Sequence, residues 1–184
     1  MVSQLETRSI RPLHGDSPDE SARFPHCIEG TIQVFTCPHR SFFSNVMAQA
    51  LRIAGQGTPV LVVQFLKGGI GQGIEHPVKL GQHLDWLRCN LSRCVDTPDL
   101  EAAEALELEH LWQHTQDVVR QEKYTLVVLD ELSLAINFGL ISEAEVVAFL
   151  QQRPIHIDVV LTGPDMPAAL LNMADQVTQL RRCY

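Results

Sequence analysis

The stretch that decides the fold is Tyr-Thr-Leu-Val-Val-Leu-Asp-Glu, residues 124–131. Its apolar residues do not alternate with polar ones, a pattern typical of a parallel strand covered on both faces. Residues 59–65, Pro-Val-Leu-Val-Val-Gln-Phe, have the same character. The two stretches therefore predict central strands of a parallel sheet, the first over 124–129 and ending in Asp130 and Glu131. Ligands of such sheets bind at the carboxyl ends of the strands, where these two acids are expected.

Outward from these strands, the chain alternates strand-like and helix-like segments. Thr97 and Pro98 are typical of a helix start, and Ser142 with Glu145 matches a capping box. Repeated strand-helix units favour a parallel sheet with helices on both faces, joined by right-handed crossovers. The further strands are predicted at 31–36, 78–80, 157–161 and 176–180, and the helices at 42–54, 97–121, 142–151 and 167–173.

The N-terminal segment differs from the rest of the chain. Residues 1–29 contain Pro12, Pro18 and Pro25 among acidic and serine residues, with neither helical nor strand periodicity. This composition predicts a flexible N-terminal arm. Residues 30–184 then form one domain, because a chain of 184 residues is long enough for a single sizeable core.

Charge and cysteine usage exclude several classes of protein. Fourteen basic against 22 acidic residues give a net charge of −8, which disfavours nucleic acid and anionic membranes as partners. No apolar run reaches the roughly 18 residues of a membrane span. Five cysteines without a C-x-x-C pair favour a reducing compartment, so we expect a cytoplasmic protein.

Asp130 and Glu131 are the first candidates for chemistry. A carboxylate that follows an apolar strand is how a Walker B motif presents an acid to a bound metal ion. A strand that simply stops at a polar turn gives the same pattern. The motif by itself leaves these two interpretations equally weighted.

A wider resemblance begins at this motif. Taken together, six blocks in one order resemble the corrinoid adenosyltransferases, which transfer adenosyl from ATP to cob(I)alamin. The resemblance runs from about Gly30 to Leu180. It implies a P-loop NTPase (RecA-like) three-layer α/β/α domain with a mainly parallel sheet, ATP with magnesium and cobalamin as ligands, and a homodimer. The blocks are residues 34–36, 50–57, 62–68, 126–132, 153–156 and 159–163.

The phosphate-binding loop departs from the family pattern, which is similar to Thr-Gly-Asn-Gly-Lys-Gly-Lys-Thr-Thr. All three glycines are replaced, Phe42 stands at the phosphate-binding lysine, and Phe43 stands at the magnesium-binding hydroxyl. Such a loop points backbone N–H groups at the phosphates, and Pro38 has none. We therefore predict that triphosphate binding is lost. The nine positions here are Thr36, Cys37, Pro38, His39, Arg40, Ser41, Phe42, Phe43 and Ser44.

Other family positions are partly kept. Pro164 replaces an arginine near the nucleotide, and the family's tail beyond the last strand is missing. Asp130 is expected to hold magnesium weakly if at all, since magnesium relies on substrate oxygens. Trp86 lies in a stretch comparable to the aromatic segment on the family's corrin side. The matching positions are Arg52, Gln64, Lys67, Asp130 and Glu131.

Three functional hypotheses follow from these residues. The favoured one is a family member that has lost ATP-dependent transfer and acts as a binding or regulatory protein, hence not an enzyme. The second is an active adenosyltransferase in which Arg40 and His39 replace the loop lysine, because arginine forms a fork with phosphate. The third is a protein-interaction module whose ligand surface is filled by Phe42 and Phe43.

Two further groups of residues have both a functional and an ordinary interpretation. His110, His114 and Asp117 share a helix face and could hold a metal, but a solvated polar face is favoured. Cys89 and Cys94 could be thiolates beside arginines, although small buried hydrophobic residues are commoner. A packed thiol is likewise favoured for Cys37, at the strand-to-helix turn.

Overall fold

The computed structural model describes residues 28–69 and 71–181. The predicted N-terminal arm lies almost wholly outside the described residues. Within them, no helix is both long and apolar enough to cross a membrane. Seven strands form one sheet: β1 (Ile32–Cys37), β2 (Val60–Gln64), β3 (Val78–Leu80), β4 (Leu84–Arg88), β5 (Leu126–Asp130), β6 (Asp158–Pro164) and β7 (Gln176–Gln179).

The sheet is mainly parallel, as predicted. Its strand order is β3-β4-β2-β5-β6-β1-β7, and the edge strand β3 is the antiparallel one. Five helices connect the strands: α1 (Ser44–Gly55), α2 (Ala102–Arg120), α3 (Leu132–Asn137), α4 (Glu143–Gln152) and α5 (Ala168–Met173). This architecture is compatible with the P-loop NTPase-like fold.

The core lies on both faces of the sheet. Along β5, Leu126 and Val128 pack into the cluster that contains residues of α1, whereas Val127 and Leu129 pack into the cluster that contains residues of α2 and α4. All five residues of β5 are buried. The unbroken apolar run of residues 126–129 therefore has the cause expected from the sequence, a helical layer on each face.

Three details differ from the sequence-based expectation. The long helix begins at Ala102 and not at Thr97-Pro98; Glu101 is its N-cap, and its backbone N–H donates to the Glu104 carboxylate at 3.1 Å. Strand β4 and helix α3 were not predicted. Strand β4 contains polar residues among its apolar ones, and its parallel pairing with β2 is a tertiary contact. Ser142 is the N-cap of α4, as expected, but its hydroxyl makes no capping hydrogen bond.

Candidate functional site

Strand register places four polar residues in one row at the carboxyl edge of the sheet. Gln64 on β2 lies opposite Arg88 on β4 and opposite Asp130 on β5. Leu129 pairs with Leu161, so the next residues, Asp130 and Thr162, are also neighbours. Side chains of paired residues point to the same face, which here is the α1 side of the sheet. The row runs across four adjacent strands.

Hydrogen bonds join the row from end to end. The Arg88 Nε donates to Gln64 Oε1 at 2.8 Å, and Gln64 Nε2 donates to Asp130 Oδ2 at 2.7 Å. The Thr162 hydroxyl donates to Asp130 Oδ1 at 2.7 Å, and Lys67 Nζ lies 2.6 Å from Asp130 Oδ2. Gln64, Asp130 and Thr162 are buried. Both oxygens of Asp130 therefore already accept hydrogen bonds from protein groups.

Glu131 is held by a second cation. Its backbone has φ 60°, which turns the chain from β5 into α3. Arg40 donates from Nε and Nη2 to the two carboxylate oxygens of Glu131, each at 2.7 Å, and from Nη1 to the carbonyl of Val95 at 2.7 Å. The hydrogen bond to Glu131 raises the pKa of Arg40. The Arg40 guanidinium thus has each of its three nitrogens bonded inside the protein.

The two phenylalanines of the loop occupy different environments. Phe43 is 1% exposed and belongs to the core on the α1 side. Phe42 is 55% exposed, and the centre of its ring lies 4.9 Å from Lys67 Nζ. An ammonium at this distance from a ring is attracted to its face. Lys67 therefore lies between Asp130 and an aromatic ring.

A cavity of about 720 Å³ lies over the loop. Its wall combines the end of β1 with the segment that follows β7, which is tied to β1 by a hydrogen bond from the Leu180 N–H to the Thr36 carbonyl at 2.9 Å. The residues that line it are Cys37, Pro38, His39, Arg40, Ser41, Phe42, Leu180 and Arg181.

A family model described as ATP:corrinoid adenosyltransferase BtuR/CobO/CobP matches residues 29–183. The chain belongs to the corrinoid adenosyltransferase family. The match covers the whole described sheet, including the loop at the end of β1 and the acids at the end of β5. The resemblance inferred from the six blocks of sequence is therefore confirmed.

Curated relatives in the family include proteins of three bacteria. A "Corrinoid adenosyltransferase" of Escherichia coli and "Corrinoid adenosyltransferase CobA" of Salmonella typhimurium are each 30% identical over 152 residues, 83% of this chain and 76% of theirs. A "Corrinoid adenosyltransferase" of Sinorhizobium is 30% identical over 141 residues, 70% of this chain. The chain spans about three fifths of that last protein, 61% of its length.

The structure brings most of the family-matched positions together. Lys67 and Gln64 meet at Asp130, and Arg40 meets Glu131, so these five form one group. Lys67 Nζ also lies 4.0 Å from Glu131 Oε1 and thereby links the two acids.

Arg52 and Trp86 lie apart from this group. Arg52 is exposed on α1. Trp86 packs against the core on the α1 side, and its Nε1 has no hydrogen-bond partner among residues 28–69 and 71–181. The corrin-side role of Trp86 stays a prediction.

Sequence reasoning missed two members of the row, Thr162 and Arg88. Thr162 directly follows a predicted buried strand, as Asp130 does, and this shared position was a usable signal. Arg88 belongs to β4, which was itself not predicted. Next to Thr162, Gly163 has φ 141°, and a Cβ there would collide with the Ser133 hydroxyl oxygen. Only glycine fits there without strain.

The secondary candidates have ordinary environments. Residues 28–69 and 71–181 contain no group of three or more His, Cys, Asp or Glu side chains able to hold a metal. On the helix face of this candidate, His110 and Asp117 are exposed and His114 is partly buried. Burial lowers the pKa of His114. Burial raises the pKa of Cys89 to about 12, which contradicts a thiolate there, whereas Cys94 is exposed. Cys37 is a packed thiol whose Sγ donates to the His39 carbonyl at 2.7 Å.

Proposed function

We propose that this protein has lost ATP-dependent adenosyl transfer and acts as a binding or regulatory member of the corrinoid adenosyltransferase family. One observation carries the proposal. Arg40, the cation that remains in the loop, is turned into the protein and bonded at all three nitrogens to Glu131 and Val95. A phosphate-binding loop needs such a group free and facing the phosphates.

Asp130, the acid that would hold magnesium, is also already bonded to other groups of the protein. Both oxygens of Asp130 already accept hydrogen bonds, from Gln64, Lys67 and Thr162. Magnesium demands regular octahedral oxygen ligands and binds mostly through one or two carboxylates and the substrate phosphates. A carboxylate with three bonded protein donors has little left for the ion. The residues of this site, as arranged, do not fit a magnesium-triphosphate group.

The position of Phe43 supports the same conclusion. The family has a magnesium-binding hydroxyl at that position, and here the side chain is in the core on the α1 side. A buried phenylalanine contributes several kcal/mol to stability and cannot leave the core cheaply. The loop end of α1 is thus anchored by packing and not by an anion.

The active-enzyme hypothesis requires a rearrangement. Arg40 would have to leave Glu131, which is 3% exposed, and so leave one buried acid without its bidentate partner. Breaking a buried ion pair on one side costs about 3–5 kcal/mol. Phosphate contacts would have to offset that cost before they contributed to affinity.

Of the two phenylalanines on which the protein-interaction hypothesis depends, one is available to contact a partner. Phe43 is buried and cannot contact a partner, whereas Phe42 is half exposed. A corrinoid ligand and a homodimer remain part of the proposal and are supported by the family alone. A protein partner is supported by the exposure of Phe42, and a cytoplasmic location by the cysteine usage. Size-exclusion chromatography with light scattering tests the homodimer, which we expect.

The deciding experiment is calorimetric titration of the full chain with magnesium-ATP. The E. coli relative named corrinoid adenosyltransferase serves as the positive control. The structure suggests Phe42→Lys as the matched variant, because Phe42 is exposed and its replacement leaves the core intact. Replacing Phe43 as well would confound binding with unfolding.

We expect the natural protein to bind magnesium-ATP at least two powers of ten more weakly than the E. coli relative, since about two charge-assisted hydrogen bonds are lost. Saturable micromolar binding by the natural protein would overturn the proposal. A parallel titration with cobalamin, followed by its visible spectrum, then separates a corrinoid binder from a protein-interaction module.

A further inference from the structure

The ion pair between Arg40 and Glu131 has the geometry of a guanidinium bound to an oxyanion. Arg40 donates from Nε and Nη2 to the two carboxylate oxygens of Glu131, each at 2.7 Å. Two hydrogen bonds of this kind are how arginine binds a phosphate or a carboxylate of a ligand. Here the oxyanion belongs to the protein itself, and its side chain is 3% exposed. Glu131 therefore uses the two N–H groups that an external oxyanion would use.

The surroundings of Arg40 favour an anion. The Arg40 side chain is 32% exposed, and Arg40 is one of the residues that line the cavity of about 720 Å³ over the loop. Arg181 and His39 line the same cavity, and in the described part of the chain its lining includes no aspartate or glutamate. A wall with cations and no acids attracts anions, even in a chain of net charge −8.

Arg40 also holds a second segment of the chain. Residues 89–101 connect β4 to α2. Within this segment, the Val95 carbonyl accepts a hydrogen bond from Arg40 Nη1 at 2.7 Å, and the Val95 N–H donates to the Leu66 carbonyl at 2.8 Å. One guanidinium thus connects three parts of the carboxyl edge: the loop after β1, the start of α3 at Glu131 and the segment after β4.

We infer that Glu131 is an internal anion: it occupies Arg40 in place of an external oxyanion and so keeps the loop after β1 bonded to the segment after β4. The contact excludes a bound anion, because the same N–H groups cannot serve Glu131 and a phosphate at once. The inference rests on the proposed function and deepens it, since it names the group that prevents Arg40 from binding phosphate. Anion binding should therefore return when the charge of Glu131 is removed.

The test is calorimetric titration of the full chain with inorganic pyrophosphate, in the natural protein and in Glu131→Gln. This substitution keeps the shape of the side chain and removes its charge, which leaves Arg40 with a weaker partner. We expect Glu131→Gln to bind pyrophosphate at least about tenfold more tightly than the natural protein, the gain typical of one charge-assisted hydrogen bond. Equal affinities, or no binding by Glu131→Gln at about 10 mM pyrophosphate, would overturn the inference.

Two further variants assign the gain to Arg40. Arg40→Met/Glu131→Gln lacks the guanidinium and should bind pyrophosphate no better than the natural protein. Glu104→Gln is the matched control, because Glu104 also accepts two hydrogen bonds from one arginine, Arg93, at 2.9 and 2.8 Å, and neither residue lines the cavity over the loop. It should bind like the natural protein. A gain in either variant as large as that of Glu131→Gln would overturn the inference.

The test of the proposed function has a different readout. Saturable micromolar binding of magnesium-ATP by the natural protein contradicts the proposed function. Weak magnesium-ATP binding by the natural protein, together with pyrophosphate binding that Glu131→Gln leaves unchanged, contradicts the inference alone.

Hydrogen exchange followed by mass spectrometry tests the contact with Val95. In Arg40→Met/Glu131→Gln, the peptide that contains the Val95 N–H should exchange about tenfold faster than in the natural protein, because a hydrogen bond that holds this segment is lost. Peptides of β5 should exchange as before, since the double variant has no unpaired buried charge. Unchanged exchange at Val95 would contradict the inferred link between the loop and the segment.

A measurement on the natural protein covers the case in which Glu131→Gln does not fold. The side-chain N–H signals of Arg40 in a nitrogen-15 spectrum should stay unmoved when pyrophosphate is added to about 10 mM, because Glu131 already occupies these groups. A shift of the Arg40 signals would show that an external anion reaches the guanidinium, and would overturn the inference.

Discussion

Two arginines flank the same buried group at the carboxyl edge of the sheet and use their nitrogens differently. At the β1 end, Arg40 directs all three of its nitrogens into the protein, two of them onto Glu131. At the β4 end, Arg88 donates from Nε to Gln64, and its other two nitrogens have no acceptor among residues 28–69 and 71–181. At the β1 end the partners of Arg40 are protein groups, the Glu131 carboxylate and the Val95 carbonyl.

This difference shows that two arginines at one hydrogen-bonded edge of a sheet can find different numbers of partners inside the protein. The row from Arg88 through Gln64 and Asp130 to Thr162 is one hydrogen-bonded unit, so both ends share a rigid centre. The two ends differ in the number of hydrogen-bond acceptors that lie within reach of the arginine. Glu131 and the Val95 carbonyl are within reach of Arg40, whereas the terminal nitrogens of Arg88 have no acceptor among residues 28–69 and 71–181.

The largest expected effect concerns the packing of the loop that follows β1. Phe43→Ala should lower the free energy of unfolding by about 3–5 kcal/mol, because it removes a fully buried ring. Phe42→Ala, one residue earlier and half exposed, should cost about 1 kcal/mol or less. Urea denaturation followed by circular dichroism measures both. Equal costs for the two variants would mean that Phe43 does not anchor the loop.

Replacing each of the two arginines should lower the free energy of unfolding by a different amount in the same urea assay. Arg40→Met is expected to cost about 3 kcal/mol, because it leaves the buried Glu131 carboxylate without its bidentate partner. Arg88→Met should cost about 1 kcal/mol, since it removes a single hydrogen bond to Gln64. A loss at Arg40 no larger than that at Arg88 would contradict the comparison.

A double variant provides the control for Arg40. Adding Glu131→Gln to Arg40→Met removes the unpaired charge while keeping the shape of the side chain. The double variant should recover a large part of the free energy of unfolding that Arg40→Met loses, because that loss comes from an unpaired buried charge and not from lost packing. No recovery would assign the loss to packing of the Arg40 side chain.

The smallest effect tests how well the core is sealed from solvent at the end of β4. Cys89 directly follows β4, and burial raises its pKa to about 12. At pH 8 roughly one Cys89 thiol in ten thousand would be ionised, so iodoacetamide should leave Cys89 unmodified. The same result is expected at pH 9, which is still far below the pKa of this thiol. The exposed Cys94 should be modified. Peptide mass spectrometry resolves the two, and urea should make Cys89 reactive. Fast labelling of Cys89 in the native protein would show that solvent reaches the core at β4.

The central strands were predictable because their sequence has one physical cause. Continuous apolar runs such as residues 126–129 require cover on both faces, and only a sheet between two helical layers provides it. Strand β4 has no such run. Leu84 and Leu87 are buried while Asp85 and Arg88 are partly exposed, and the strand exists because β2 offers a parallel partner. Pairing of that kind is not encoded locally.

The candidate site was predictable to a similar degree. Asp130 and Glu131 could be named because they end and follow a buried strand, at the edge where ligands of parallel sheets bind, and Gln64 and Lys67 because they match the family pattern. Their bonding partners could not be named. Arg40 was considered as a phosphate ligand from its place in the loop, and its pairing with a residue 91 positions away depends on the folded chain.

The sequence by itself determined the family and the parallel sheet, because these depend on residue type and order. Only the tertiary structure decided which charges meet. A guanidinium bonds to whichever acceptors lie within about 3 Å, and that distance is set by strand register and loop path. Hence Arg40 and Arg88 have the same chemistry in the sequence and opposite environments in the fold.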